Sequence, residues 1–202
     1  MAKKKSNKSS ASTRRENLSL NQILLWGGAT VVVIFVIVIL VNVLGPSVSL
    51  APVPQTTASP IVIEDYQELT SPHVQDDQSV QYNSDPPTSG PHNPQSYTTT
   101  FFDQAPNPRR MLHSLEHGYV IIYFDCTQLP ADLTCDSLKA GIRKVMGDAG
   151  KYKILAAPIT GQPTVITLAS WTRIGRLDNF DIAQIKDYIT QNRNKSPEPT
   201  AP

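Results

Sequence analysis

Cysteine is nearly absent. The 202 residues contain two, Cys126 and Cys135, and their nine-residue step is not the C-x-x-C spacing of a redox pair. A thiolate metal site would need both sulfurs reduced, so in an oxidising compartment the pair reads as one disulfide, closing a small loop and worth about 2 to 3 kcal/mol. Charge is missing altogether from Ile23 to Leu44, a run that is apolar apart from Thr30 and Asn42. At about 1.5 Å per residue such a run crosses a hydrocarbon layer of roughly 30 Å. An excess of basic charge is missing from everything that follows: beyond Leu44 stand 12 Lys plus Arg against 16 Asp plus Glu, a net −4 hidden inside the chain total of +1. That balance excludes nucleic acid and anionic lipid heads as natural partners of this part. No internal repeat is visible.

The polar segment 1–22 carries Lys3, Lys4, Lys5, Lys8, Arg14 and Arg15 against Glu16, and reads as a disordered cytoplasmic tail. With the positive charge on its amino-terminal side, segment 23–44 is expected to be a single transmembrane signal anchor, leaving the rest of the chain outside the cell membrane. A cleaved signal peptide fits less well, because the apolar run exceeds an h-region of about 7 to 15 residues. Residues 45–60 bring Pro46, Pro52, Pro54 and Pro60, the composition of an extended linker. Residues 61–196 are then expected to form one extracytoplasmic α+β domain, with 197–202 a flexible tail.

The most informative stretch is NPRRMLHSLEHG at 107–118. Asn107 can cap a helix, Pro108 suits its first position and Gly118 can end it. At helical spacing His113, Glu116, His117, Arg109 and Arg110 share one arc, and Met111, Leu112 and Leu115 lie opposite. Two histidines four apart can put ring nitrogens on one ion, with Glu116 adding a carboxylate or serving as a base. The competing reading is an amphipathic helix whose Glu116 merely pairs with an arginine or histidine. Upstream, DPPTSGPHNP at 85–94 is too rich in proline for helix or central strand. It forms a shaped loop that either delivers His92 as a third ligand or only routes the chain. His73, also after a proline, is expected to be a solvated surface residue.

The remaining elements follow from periodicity. IVIEDY hints at a strand, YVIIYF at 119–124 reads as a central strand, and 136–146 as an amphipathic helix stopped by Gly147. Tyr152 to Ala157 and Thr164 to Ser170 read as an antiparallel pair joined through PITGQP. Trp171, Arg173 and Arg176 follow on a polar segment, and Asp178 or Asn179 caps a final helix over 180–191. The tail from Asn194 is expected to be loose. The fold class is thus α+β, a small mixed β-sheet packed by two to three helices and preceded by a single transmembrane helix.

PPTSGPH at 86–92, HSLEHG at 113–118, the apolar strand after it, and LASWTR followed by LDNFDIAQIKDYI resemble a bacterial family of membrane-anchored extracytoplasmic proteins, domain of unknown function number 3105. The resemblance covers about residues 80–196 and brings no activity. It implies the same topology and directs attention to His92, His113, Glu116 and His117. HSLEH also resembles H-x-x-E-H, the inverted zinc-protease motif, in which His113 and His117 would be ligands and Glu116 the base. That motif requires a glutamate from a second long helix, where this chain offers Asp181 and Asp187.

Three functions are compatible with these residues. The first is a tethered domain holding copper or zinc through His92, His113, Glu116 and His117. Met111, which could serve as a soft copper ligand, belongs instead to the apolar arc. The second is a metal-dependent hydrolase with Glu116 as general base and Arg109 or Arg110 steadying an oxyanion. The third is a metal-free protein whose arc of His113, Glu116, His117, Arg109 and Arg110 meets a cell-envelope protein partner, with Trp171 and Arg173, residue types enriched at interface hot spots, as further contacts.

Overall fold

In the computed structural model residues 59–201 are described. The basic segment 1–22, the apolar segment 23–44 and most of the linker therefore lie outside the described residues. Among the described residues no helix is long and apolar enough to cross a membrane. In chain order the elements are β1 (Val62–Asp65), β2 (Thr100–Phe101), α1 (Pro108–Glu116), β3 (Val120–Phe124), α2 (Cys135–Asp148), β4 (Ile154–Pro158), β5 (Ile166–Ser170), β6 (Arg173–Leu177) and α3 (Ile182–Asn192). One six-stranded mixed sheet of order β1-β6-β5-β3-β4-β2 is packed by the three helices. This is the α+β class expected.

β3 consists of fully buried Val, Ile, Tyr and Phe, so it takes the centre, where both faces are covered. β4 runs parallel to it and β5 antiparallel. The hairpin expected of β4 and β5 therefore does not form, because β3, the more apolar strand, sits between them. α2 supplies the crossover that the parallel neighbours β3 and β4 need. A hairpin does form between β5 and β6, with Ser170 opposite Arg173 and Thr172 at φ 60° in the two-residue turn. The segment carrying Arg173 and Arg176 is thus a strand, not a polar connection. Its arginines reach the edge strand β1, Arg173 Nε to Asp65 at 2.5 Å and Arg176 Nε to Glu64 at 2.8 Å.

Alternation along β3 divides the interior. Val120, Ile122 and Phe124 join Leu138, Ile142 and Val145 of α2 and Ile185 and Ile189 of α3 in one core. Ile121 and Tyr123 join Met111, Leu112 and Leu115 of α1 and Trp171 in the other. Trp171, offered by its type as a partner contact, is buried, with its indole N–H donating to Glu68 at 3.0 Å.

Cys126 and Cys135 are disulfide-bonded with Cα atoms 5.4 Å apart, tying the end of β3 to the start of α2. α2 runs through Gly147 to Asp148, and α3 is capped by Asp181, whose side chain accepts from the Gln184 N–H at 3.0 Å. The tail expected to be loose is instead folded back. Asn194 N–H donates to Gly118 O at 2.9 Å, and Glu198 N–H to Glu116 O at 3.1 Å.

Candidate metal centre

α1 forms as its ends dictate. The Asn107 side chain accepts from the N–H groups of Arg109 and Arg110, and Pro108 stands at the first turn. Gly118 has φ +84°, and a Cβ there would lie 2.8 Å from Asn194 Cα, so both backbone conformation and close approach demand glycine. The apolar arc of α1 packs on the sheet as expected. Its chemical arc does not face solvent: His113 and Glu116 are buried beneath residues 71–93. The arginines hold this cover in place. Arg109 donates to the carbonyls of Gln75 and Gln78, while Arg110 donates to Ser96 O at 3.3 Å and stacks 4.2 Å over the Tyr97 ring. Arg109, Arg110 and Arg173, proposed from sequence as anion or partner contacts, are thus committed to groups within the chain.

The proline-rich loop does deliver a histidine. Thr88, Ser89 and His92 are fully buried, and Gly90 at φ +116° lets the loop turn inward, where a Cβ would lie 3.3 Å from the Leu69 and Tyr82 side chains. The His92 ring centroid lies 4.7 Å from that of His113, within the about 5 Å needed to share an ion at ~2.1 Å Zn–N distances.

His73 is exposed, as expected of a surface residue, yet its ring belongs to the same group. Its backbone forms a parallel bridge with His92, in which Val74 N–H donates to His92 O at 2.8 Å and His92 N–H to Pro72 O at 3.2 Å. Asp76 fastens the segment, accepting from the Asn93 side chain at 3.0 Å and from Asn107 at 2.7 Å. The sequence held one signal for this: a Pro-His dipeptide occurs twice, at 72–73 and 91–92, and the structure lays the two copies side by side.

One ligand atom each from His73, His92, His113 and Glu116 lies within 4.8 Å of all the others, a group that could hold a metal ion. The histidines are oriented for it. His92 Nδ1 contacts Gly90 O at 2.9 Å, and His113 Nδ1 contacts Asn93 O at 2.8 Å. A carbonyl can only accept, so each Nδ1 carries the proton and each Nε2 presents a lone pair, the arrangement that second-sphere carbonyls impose on metal-bound imidazole. Burial pushes the His92 pKa down, against the Gly90 bond, and lowers that of His113 to about 4. Both rings are therefore neutral at physiological pH, the state that coordinates. Burial, with the Glu198 carboxylate nearby, raises the pKa of Glu116.

The contact between His92 and Glu116 is the most telling. His92 Nε2 lies 3.0 Å from Glu116 Oε2, yet this buried nitrogen has no hydrogen-bond partner. The distance is right and the direction is wrong. Two lone-pair groups this close in the interior call for a shared proton or a bound cation between them.

His117 stands beside the group of four and not within it. Its Nε2 is 3.0 Å from His113 Nε2 and 3.5 Å from Glu198 Oε2. Glu198 had no sequence signal, since it lies in a proline-bearing tail far from the motif.

Fold and cluster together define a class: a small α+β domain that gathers a His/Glu group of metal-binding composition, three members buried and His73 exposed, between a loop and a helix. The family described as Protein of unknown function (DUF3105) matches residues 73–202, and the chain belongs to it. Comparison with curated proteins and with solved structures finds no match.

Proposed function

We propose that this domain binds one transition-metal ion, zinc or copper, through His73, His92, His113 and Glu116, and does so outside the cell while tethered to the membrane by residues 23–44. The observation that carries the reading is the bare Nε2 of His92, fully buried and 3.0 Å from a carboxylate oxygen without a hydrogen bond. Three imidazoles and a carboxylate suit zinc, and copper(II) binds such sets more tightly where it is available. Four protein donors make a closed site, whereas a metal hydrolase keeps a position open for water. Glu116 is therefore read as a ligand and not as a base. The basic segment 1–22 ahead of the uncharged run supports the outward orientation, and the Cys126–Cys135 bond suits an oxidising compartment.

Elemental analysis of the full-length protein, purified without chelators, tests this. The expected result is one equivalent of metal, with affinity lost in His113→Ala by more than the 10- to 100-fold, roughly, that removal of an outer-sphere partner brings. A wild-type protein that stays metal-free in micromolar zinc and copper overturns the reading.

A further inference from the structure

Beside the group of four stands a second pair, joined to it by the contact between His117 and His113. His117 Nε2 is 3.0 Å from His113 Nε2 and 3.5 Å from Glu198 Oε2. An ion held at ~2.1 Å by two nitrogens that close together sees them about 90° apart, and neighbouring ligands of a tetrahedral ion stand roughly 3.4 Å from each other. Both spacings suit shared coordination. On this flank the side chains run from water to interior, Glu198 being 58% exposed, His117 12%, Glu116 10% and His92 0%, while His73 of the inner group is itself exposed.

Glu198 is placed there by the fold. Its N–H donates to Glu116 O at 3.1 Å. The next residue's carbonyl, Pro199 O, accepts from Lys153 Nζ at 2.8 Å, and the same ammonium donates to His117 O at 2.8 Å. One buried lysine thus fastens the tail to the carboxyl end of α1, at the residue that carries the outer imidazole.

We propose that His117 and Glu198 form an outer half-site, which takes the ion from solution and passes it inward through His113. This rests on the metal-binding reading above. His113 has one lone pair to offer, because its Nδ1 is held by Asn93 O, so it serves one ion position at a time. The outer and inner positions are occupied in turn. Exchange through the pair sets how fast the ion enters and leaves, while the four inner donors set how tightly it is held.

Stopped-flow exchange of Zn²⁺ between the full-length protein and a chromophoric chelator tests this in wild type, Glu198→Gln and His117→Gln. Both variants are expected to slow association and dissociation together by about tenfold, with Kd changed less than about threefold. Glu198→Gln keeps the backbone N–H that docks the tail. Unchanged rates in both variants, with one equivalent of Zn²⁺ still bound, overturn the relay and leave the inner site standing. Weakened binding with unaltered association overturns it too, making the pair permanent ligands. A wild type that takes up no Zn²⁺ overturns the inner site and the relay with it.

Discussion

Val120, Ile122 and Phe124 project from β3 into a core closed by α2 and α3, whereas Ile121 and Tyr123, from the same strand, project into one closed by α1 and the loops above it. On the first side the cover is two amphipathic helices, and what is buried is aliphatic and aromatic. On the second side the apolar layer is thinner and is backed by buried Thr88, Ser89, His92, His113, Ser114 and Glu116. Burying such groups is unfavourable unless each finds a partner. The contrast separates stability from chemistry: one face of the sheet carries the larger apolar core, and the other backs a smaller one with polar groups, three of them the buried members of the His/Glu cluster.

The largest effect should come from the aliphatic side. Phe124→Ala removes a fully buried ring and is expected to cost about 3 to 5 kcal/mol in urea unfolding, while the fraction that remains folded keeps its metal content. Equal loss of metal per folded molecule would show that the faces are not separable. Gly90→Ala probes the other side. It places a side chain at φ +116° against Leu69 and Tyr82, a strain of about 1 to 3 kcal/mol, and disturbs the carbonyl that orients His92. Metal affinity measured by competition should fall roughly 10- to 100-fold, as for other second-sphere partners.

The smallest effect belongs to the sheet edge. The Arg176 hydrogen bond is the main cause holding the Glu64 carboxyl below its usual 4.5, and Arg173 likewise holds Asp65 below 3.8. A folded-state pKa below the unfolded one means that these pairs stabilise fully above pH 4.5 and are lost as the pH falls through the folded values. Urea midpoints taken from pH 6 to pH 3 should therefore drop more steeply in wild type than in Arg176→Gln. Parallel curves would show that the Glu64 pair contributes nothing to folding.

Local signals foretold local structure well. Asn107, Pro108 and Gly118 marked both ends of α1, six apolar residues marked β3 as central, and the cysteine pair sat where a short loop could be closed. These depend on residues a few positions apart. What was not legible required distant segments to meet. The pairing of β4 with β3 rather than β5 is decided by which strand most needs two covers, a competition that no single window contains. β6 was obscured because Arg173 and Arg176 break the apolar alternation, and they do so in order to reach Asp65 and Glu64 across the sheet. Three members of the proposed metal group, His92, His113 and Glu116, were visible as types in suggestive spacing. His73 was not, because its place comes from the backbone bridge to His92, and Glu198 was not, because a lysine 45 residues earlier docks the tail that carries it.

β1 lies between residue 59 and His73, zipped to β6 over four register pairs and clamped by two arginines. Tension drawn along the chain from its amino-terminal side is therefore taken up by that edge strand and its two clamps before any of it reaches His73. The domain can be towed by its leading end while the His/Glu group stays unloaded.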